Sequence, residues 1–318
     1  MSEYKDLFHY WVSERYKIME YKDSGMPKPW SQDPVFQTTY FCNVHRENDK
    51  VTRWIRRELS PAEVGRLNYE FVMILARFLN WPDTLAYIKN PLIRLRPSPD
   101  NEHSWGQWLE ALQEWLETRA INGYKVWGNA YVITSHGMKM SKVTYLCQHL
   151  LPDVLRALPA IRAAARVLYG DANECIEASR LRPPGVVAGT CAAVYNALQT
   201  VQGIGSFLAA QVVADLKNTR EHELFTAPDR DTFVAHGPGS IRGLAWYHYG
   251  NSFQMSERTF GPHFQLLRQE FDERYDWGTD TPFPRPDNQD LQNCLCEFDK
   301  YCRVKTGMGR SKRGYPGI

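Results

Sequence analysis

Apolar residues recur at helical spacing along most of the chain. Leu7, Phe8, Trp11, Val12 and Ile18 predict a helix over residues 1–22, followed by a loop at 24–30, with Ser31 and Asp33 as helix starters. In residues 40–59 an apolar row (Val44, Val51, Trp54, Ile55) runs opposite a basic one (Arg46, Lys50, Arg53, Arg56, Arg57). Ser60-Pro61-Ala62-Glu63 marks a helix start, with proline at the first helical position and an acid in the first turn, running to about Asn80. A Pro-rich loop at 90–100 precedes a Trp-rich helix at 104–118. Residues 122–134 fit a short strand pair or an irregular turn, and 141–169 read as helical. Two apolar helices, 192–198 and 207–217, flank a Gly turn. Loops rich in Pro and Gly follow at 226–240 and 278–288, and a last helix starts near Asp290. With few strand patterns and no repeat, the expected fold is mainly α.

Composition adds bounds. The 318 residues, 43% hydrophobic and 23% charged, suffice for one large domain or two lobes with a sizeable core. Aromatics at 13% suit base stacking as well as thick helical packing. A net charge of +2 means that any DNA-binding basic surface is local. From Lys300 onward there are six Lys or Arg and no acid. Seven cysteines without a regular framework point to reduced thiols and a cytoplasmic setting. The N-terminal MSEYKDLFHYW lacks a signal-peptide plan, and no stretch approaches 18 apolar residues, so no membrane partner is expected.

The sharpest local signal is LQTVQGIGSFLAAQVVADL. Gly203-Ile204-Gly205 makes a tight turn between apolar helices, with Ser206 opening the second. Its N–H groups and the following helix N-terminus can bind a phosphate oxygen without reading sequence. This is a helix-hairpin-helix pattern; the bland reading is a plain helix corner. A dinucleotide fingerprint is rejected, because no strand precedes the turn and Leu208 stands where a third Gly is required. Downstream, Asp231-Thr232 resembles the Asp-Thr signature that follows the hairpin in helix-hairpin-helix DNA glycosylases. Asp231 is therefore the candidate catalytic carboxylate, and Asp229 the alternative. A helix-capping Asp is the competing explanation.

Further pieces recur in order: Glu14-Arg15; Gly25 to Trp30 with Asp33; Phe41-Cys42-Asn43-Val44 with Arg46 and Asp49; Gly123 through Tyr131; Asp215-Leu216; Gly237 through Leu244; and Asn293 through Tyr301. Over nearly its whole length the chain resembles the phage alpha-glutamyl/putrescinyl-thymine pyrophosphorylases, amino acid:DNA transferases. It resembles equally the helical domain of hydroxymethyluracil DNA kinases. The resemblance implies a glycosylase-like fold of two helical lobes around a cleft, with lobes at 1–140 and 141–254 and a C-terminal segment, 255–318, packing on the first. It implies an enzyme that displaces pyrophosphate from a modified thymine in double-stranded DNA with a small amine, downstream of a DNA kinase. The alternatives are a DNA glycosylase and a non-catalytic module partnering the kinase.

The chemistry assigns expected roles. A reacting group on C5 of a pyrimidine favours base extrusion. Gly237, Gly239, Ser240 and Arg242 are expected to form a Gly-rich nest for pyrophosphate, with an ordinary turn as the rival reading. Glu14, Arg15, Trp30, Asn43, Arg46, Asp49, Tyr131 and Lys300 are pocket candidates; a buried ion-pair network fits those polar groups equally well. No cofactor is expected beyond a divalent or monovalent cation at the hairpin or the pyrophosphate. Cys294, Cys296 and Cys302 lack the spacing and the fourth ligand of an iron–sulfur cluster, and no His spacing suits catalytic zinc. No Gly-x-x-x-x-Gly-Lys-Ser/Thr occurs, so this chain carries no P-loop.

Overall fold

The structure is a computed structural model that describes residues 3–65, 68–95, 102–128, 133, 139–168, 186–277 and 281–309. It is mainly helical, and the chain folds as two compact units: Met1–Asp49 with Val234–Ile318, and Lys50–Phe233. The expected boundaries at 140 and 254 do not coincide with this division. The C-terminal segment does pack with the first helix, but it brings 234–254 with it.

The first unit contains α1 (Glu3–Asp23), α2 (Pro34–Thr38), a 3-10 turn (Arg46–Asn48), α12 (Pro238–Tyr249), α13 (Glu257–Arg274) and α14 (Asn288–Lys305). Phe8, Trp11, Val12, Ile18 and Met19 line the buried stripe of α1 at i, i+3, i+4 spacing, and Arg15 sits within that stripe. They pack into an aromatic core with Phe36, Phe41, Phe264, Phe271, Phe298 and Tyr301. Gly243 lets α12 approach α14: a Cβ there would overlap the Leu295 carbonyl, and one at Gly239 would press on Cys296 Sγ at 3.2 Å. The segment expected to be a Gly-rich nest is thus the first two turns of a packed helix. Its glycines and proline look loop-like in sequence because the helix starts with Pro238 and needs small residues at its contact face.

The second unit contains α3 (Lys50–Glu58), α4 (Pro61–Val64), α5 (Tyr69–Leu79), α6 (Pro82–Leu95), α7 (Glu102–Ile121), α8 (Lys142–Tyr145), a π turn (Leu146–Leu150), α9 (Leu151–Ala165), α10 (Cys191–Gln199) and α11 (Ser206–Lys217). The helix expected from Ser60 to Asn80 breaks at Gly65, whose φ is +82°. The loop expected from residue 90 starts later, because α6 runs through Pro91 to Leu95. The helix expected to reach Tyr169 ends at Ala165. β1 (Arg166–Leu168) then pairs antiparallel with β2 (Val186–Ala188), Val167 opposite Val187. Residues 124–128 form no strand. Among the described residues no helix is long and apolar enough to cross a membrane.

Every residue of α5 is buried, Glu70 and Arg77 included. Arg77 donates from Nε and Nη2 to the two Asp215 carboxylate oxygens, each at 2.6 Å, and from Nη2 to Thr52 Oγ1 at 3.0 Å. Asp215 is 0% exposed and Arg77 3%. This bidentate pair joins α5 to α11 in the middle of the second unit, so the Asp215-Leu216 piece of the resemblance is part of the scaffold.

Candidate functional site

α10 and α11 flank the Gly turn, as the helical spacing predicts. Ile204 is buried and donates its N–H to the Val201 carbonyl at 3.1 Å, which anchors the turn. Gly203 has φ +89°, and a Cβ there would also strike Leu150. Gly205 differs: its backbone is extended, a Cβ would meet nothing within 4 Å, and it caps α11 without a side chain. The first N–H groups of α11, starting at Ser206, therefore have no side-chain cap from Gly205.

Of the two carboxylates after the hairpin, Asp229 is committed. It accepts the Cys191 and Ala192 N–H groups at 2.8 and 3.0 Å, capping the N-terminus of α10. Asp231 has a 60% exposed side chain and pairs with Arg230 at 2.6 Å. Asp231 belongs to the second unit, Arg242 to the first. Arg242 donates Nε to Asp299 Oδ2 at 3.0 Å; Asp299 is buried and also receives Arg303 and Trp246 Nε1. The Ser240 hydroxyl is buried, donating to the Gly237 carbonyl and accepting its N–H, each at 3.0 Å. Of the four proposed pyrophosphate residues, Ser240 and Gly239 are thus occupied by packing and capping, Gly237 is the N-cap of α12, and Arg242 is tied to Asp299.

Most of the pocket candidates do come together, in the first unit. Arg15 donates Nε to the Cys42 carbonyl at 2.9 Å and Nη2 to Asn43 Oδ1 at 2.5 Å, while its buried Nη1 has no hydrogen-bond partner. Asn43 donates its N–H to Asp49 Oδ1 at 3.1 Å. Cys42 N–H reaches Glu297 Oε2 at 3.1 Å, and Lys300 pairs with the same carboxylate at 2.5 Å, over the Phe41 ring. Burial pushes the Asp49 carboxyl up to about 6, against the lowering pull of the Asn43 N–H, Arg15 and Arg46. Burial likewise drives the Cys42 thiol far up, so it is no nucleophile. Arg46 anchors the same segment through its own N–H to Asp290 at 3.0 Å. Glu14 accepts from Ser31 at 2.6 Å, and Trp30 donates to the Met26 carbonyl at 2.7 Å. Tyr131 lies outside the described residues. Glu297 was not among the pocket candidates, although it lies in the 293–301 piece and three residues before Lys300 on α14.

A second missed group is Glu70, His222 and Glu223, whose ligand atoms lie close enough together to suggest a metal. The chemistry argues otherwise. His222 Nδ1 accepts the Leu224 N–H at 3.1 Å, which places the ring proton on Nε2, between Glu70 and Glu223 at 3.6 and 3.8 Å. Arg162 and Arg166 supply the balancing charge, at 3.5 and 2.7 Å. Burial would raise the Glu70 carboxyl, yet His222 and Arg162 hold it below the usual range. The six described cysteines are free thiols. Cys294 is buried, and Cys296 packs on Gly239.

No curated protein and no solved structure matches the chain. The family model described as 5-hmdU DNA kinase, helical domain, matches residues 2–310, and the chain belongs to that family.

Proposed function

We propose that this protein is a thymine-hypermodification transferase acting on DNA. It displaces pyrophosphate from 5-pyrophosphoryloxymethyluracil with the amino group of an amino acid or polyamine. The C5-methylene–oxygen bond breaks, a carbon–nitrogen bond forms, pyrophosphate leaves, and one proton passes from the amine to a base. Membership of a family named for a 5-hmdU DNA kinase domain, in a chain without a P-loop, supports a step on the same base other than phosphorylation by this chain.

The observation that carries the reading is the Arg15–Asn43–Asp49 group with Glu297 and Lys300. It offers a carboxyl that titrates close to neutrality, as a general base for an amine requires. It also holds a buried guanidinium with an unused donor and a nearby ammonium, the charges a departing pyrophosphate needs. Asp49 is thus the preferred base, and Asp231, exposed and solvated beside Arg230, the alternative. The hairpin supplies the grip on the backbone. Gly205 needs no missing side chain for the fold, so its bareness fits close approach of a phosphate.

A second reading, a non-catalytic DNA-binding module serving a kinase, is favoured by the family description itself. Nucleoside mass spectrometry decides: pyrophosphorylated DNA incubated with a panel of amines should yield an amine adduct. An abasic site would indicate a glycosylase, and an unchanged base a binding module.

A further inference from the structure

The Gly123–Trp127 stretch, singled out in the sequence, is unused by the reading above, and it builds an unusual surface. α7 ends in a Schellman turn: Gly123 has φ +77°, its N–H bonds to the Ala120 carbonyl at 3.0 Å, and the Tyr124 N–H reaches back to the Arg119 carbonyl at 3.1 Å. That backbone fold lays the Tyr124 ring over the Arg119 guanidinium, centroid distance 5.3 Å. Tyr87 of α6 covers the guanidinium at 5.5 Å. Arg119 Nε is fixed by the Lys125 carbonyl at 3.0 Å and Thr84 Oγ1 at 3.2 Å, so the stack is held from below. Alongside, Lys125 Nζ lies 3.8 Å from the centre of the Trp81 ring.

Despite this fixation the rings are uncovered. Tyr124 is 63% exposed, Tyr87 43%, and neighbouring Ile121 84%. Neither Arg119 nor Lys125 pairs with a carboxylate among the described residues. A rigid run of exposed aromatic faces interleaved with unneutralised cations matches one ligand chemistry: flat, uncharged π-faces strung on an anionic backbone. We propose that Tyr87, Arg119, Tyr124 and Lys125 form a stacking platform for unpaired bases of a nucleic-acid strand, separate from the hairpin. Bases stack on the Tyr faces while Lys125 and Arg119 face the phosphates. The platform extends the reading of DNA as substrate but does not depend on the transfer chemistry, and its role is to hold a strand locally opened around an extruded base.

Fluorescence anisotropy with the full chain tests this, comparing an oligothymidylate with an abasic oligomer of equal length and charge. Wild type should prefer the oligothymidylate. Y87A and Y124A should each cut that affinity roughly ten-fold, within the range for loss of one stacked base. Both should leave abasic binding unchanged, and Y124F should retain it all. Both side chains are exposed, so the variants should fold, which circular dichroism checks. A bulky residue at Gly205 should weaken duplex binding yet preserve the preference for bases over abasic sugar, which separates this platform from the hairpin. Equal wild-type affinity for the two oligomers, or an unchanged preference in the Y87A/Y124A double variant, would overturn the proposal and leave the rings to another partner.

Discussion

Two buried arginines, one in each unit, make opposite use of their surroundings. Arg77 is saturated: both Asp215 oxygens, Thr52 and Asn80 receive its N–H groups. Arg15 is not. Two of its nitrogens hold the 41–43 segment, the third has no acceptor, and the neighbouring carboxyl is left short of compensation and titrates near 6. A buried polar network that closes on itself is scaffold; the one that leaves a donor without a partner and a carboxyl under-compensated is where the proposed chemistry is placed. The carboxylates sharpen the contrast, since Asp215 takes a bidentate pair whereas Asp49 accepts one backbone N–H and feels the charges of Arg15 and Arg46.

The strongest test of the contrast is Asp49→Asn. If Asp49 is the base of the proposed transfer, its loss should lower turnover by about 10²–10⁴-fold while DNA affinity stays unchanged. Stability should move the other way. The folded state holds the Asp49 proton up to about pH 6, whereas the unfolded chain releases it near an ordinary carboxylate value of ~3.9. The folded state therefore binds more protons between those values, and native stability falls as pH rises from about 4 through 6. Asp49→Asn should be more stable than wild type at pH 8, by roughly 1–3 kcal/mol, with no difference at pH 4. Thermal melts at both pH values read this. Turnover of the wild type should rise with pH through the same interval. Lower stability in the variant at pH 8 would mean that Asp49 is one more saturated ion pair.

Arg77→Ala should have the next largest effect, and on stability alone. It strands a fully buried carboxylate, at a cost of about 3–5 kcal/mol. Because the protein has two units, urea unfolding should be followed by probes in each, with the loss confined to the transition of the second. Replacing both partners, Arg77→Met with Asp215→Leu, should restore most of it. If the double variant is as unstable as the single one, the pair does more than bridge α5 and α11.

Much of this was legible in the chain. Helical periodicity points to α1, α7, α10 and α11, and Arg15, Asn43 and Asp49 assemble, with Lys300 joined through Glu297 and Cys42. Where loops were expected in place of helix, glycine and proline are the reason. Gly239 and Gly243 are there because α14 lies against α12, a long-range contact with no local signature. Pro238 opens α12, where its missing N–H costs nothing, and Pro91 lies inside α6, which continues to Leu95. Asp229 looked catalytic by position, yet its partner is the end of a helix 37 residues upstream, which no short motif records. The β1–β2 pair was hidden because three residues are too few for an alternation pattern.

The two hairpin glycines offer a smaller and cleaner comparison. Gly203→Ala forces a left-handed φ on a residue with a Cβ and presses on Leu150, so about 1–2 kcal/mol of stability should be lost. Gly205→Ala should change stability by less than ~0.5 kcal/mol, because the space beside it is open and its backbone is extended. If the hairpin grips DNA, Gly205→Ala nonetheless weakens duplex binding, equally for all sequences. Unchanged duplex affinity in Gly205→Ala, and in a bulkier replacement, would leave the hairpin as a structural corner.

The smallest effect should come from Asp231→Asn, and that smallness is informative. Asp231 is 60% exposed and, among the described residues, pairs with Arg230, so its loss should shift stability by under ~0.5 kcal/mol. Asp229→Ala, by contrast, strips two N–H partners from the start of α10 and should cost ~1–2 kcal/mol. If catalysis belongs to the unsaturated group around Arg15, single-turnover rates on pyrophosphorylated DNA should stay within a few-fold of wild type in Asp231→Asn. A solvated carboxylate has no fixed surroundings to orient a proton transfer, and bulk water can replace much of what it does. A loss as deep as that of Asp49→Asn, with stability unchanged, would move the base to the second unit and reduce the Arg15 group to a clamp on residues 41–49. Comparable losses in both variants, no worse when combined, would mean that the two carboxylates act in a single step.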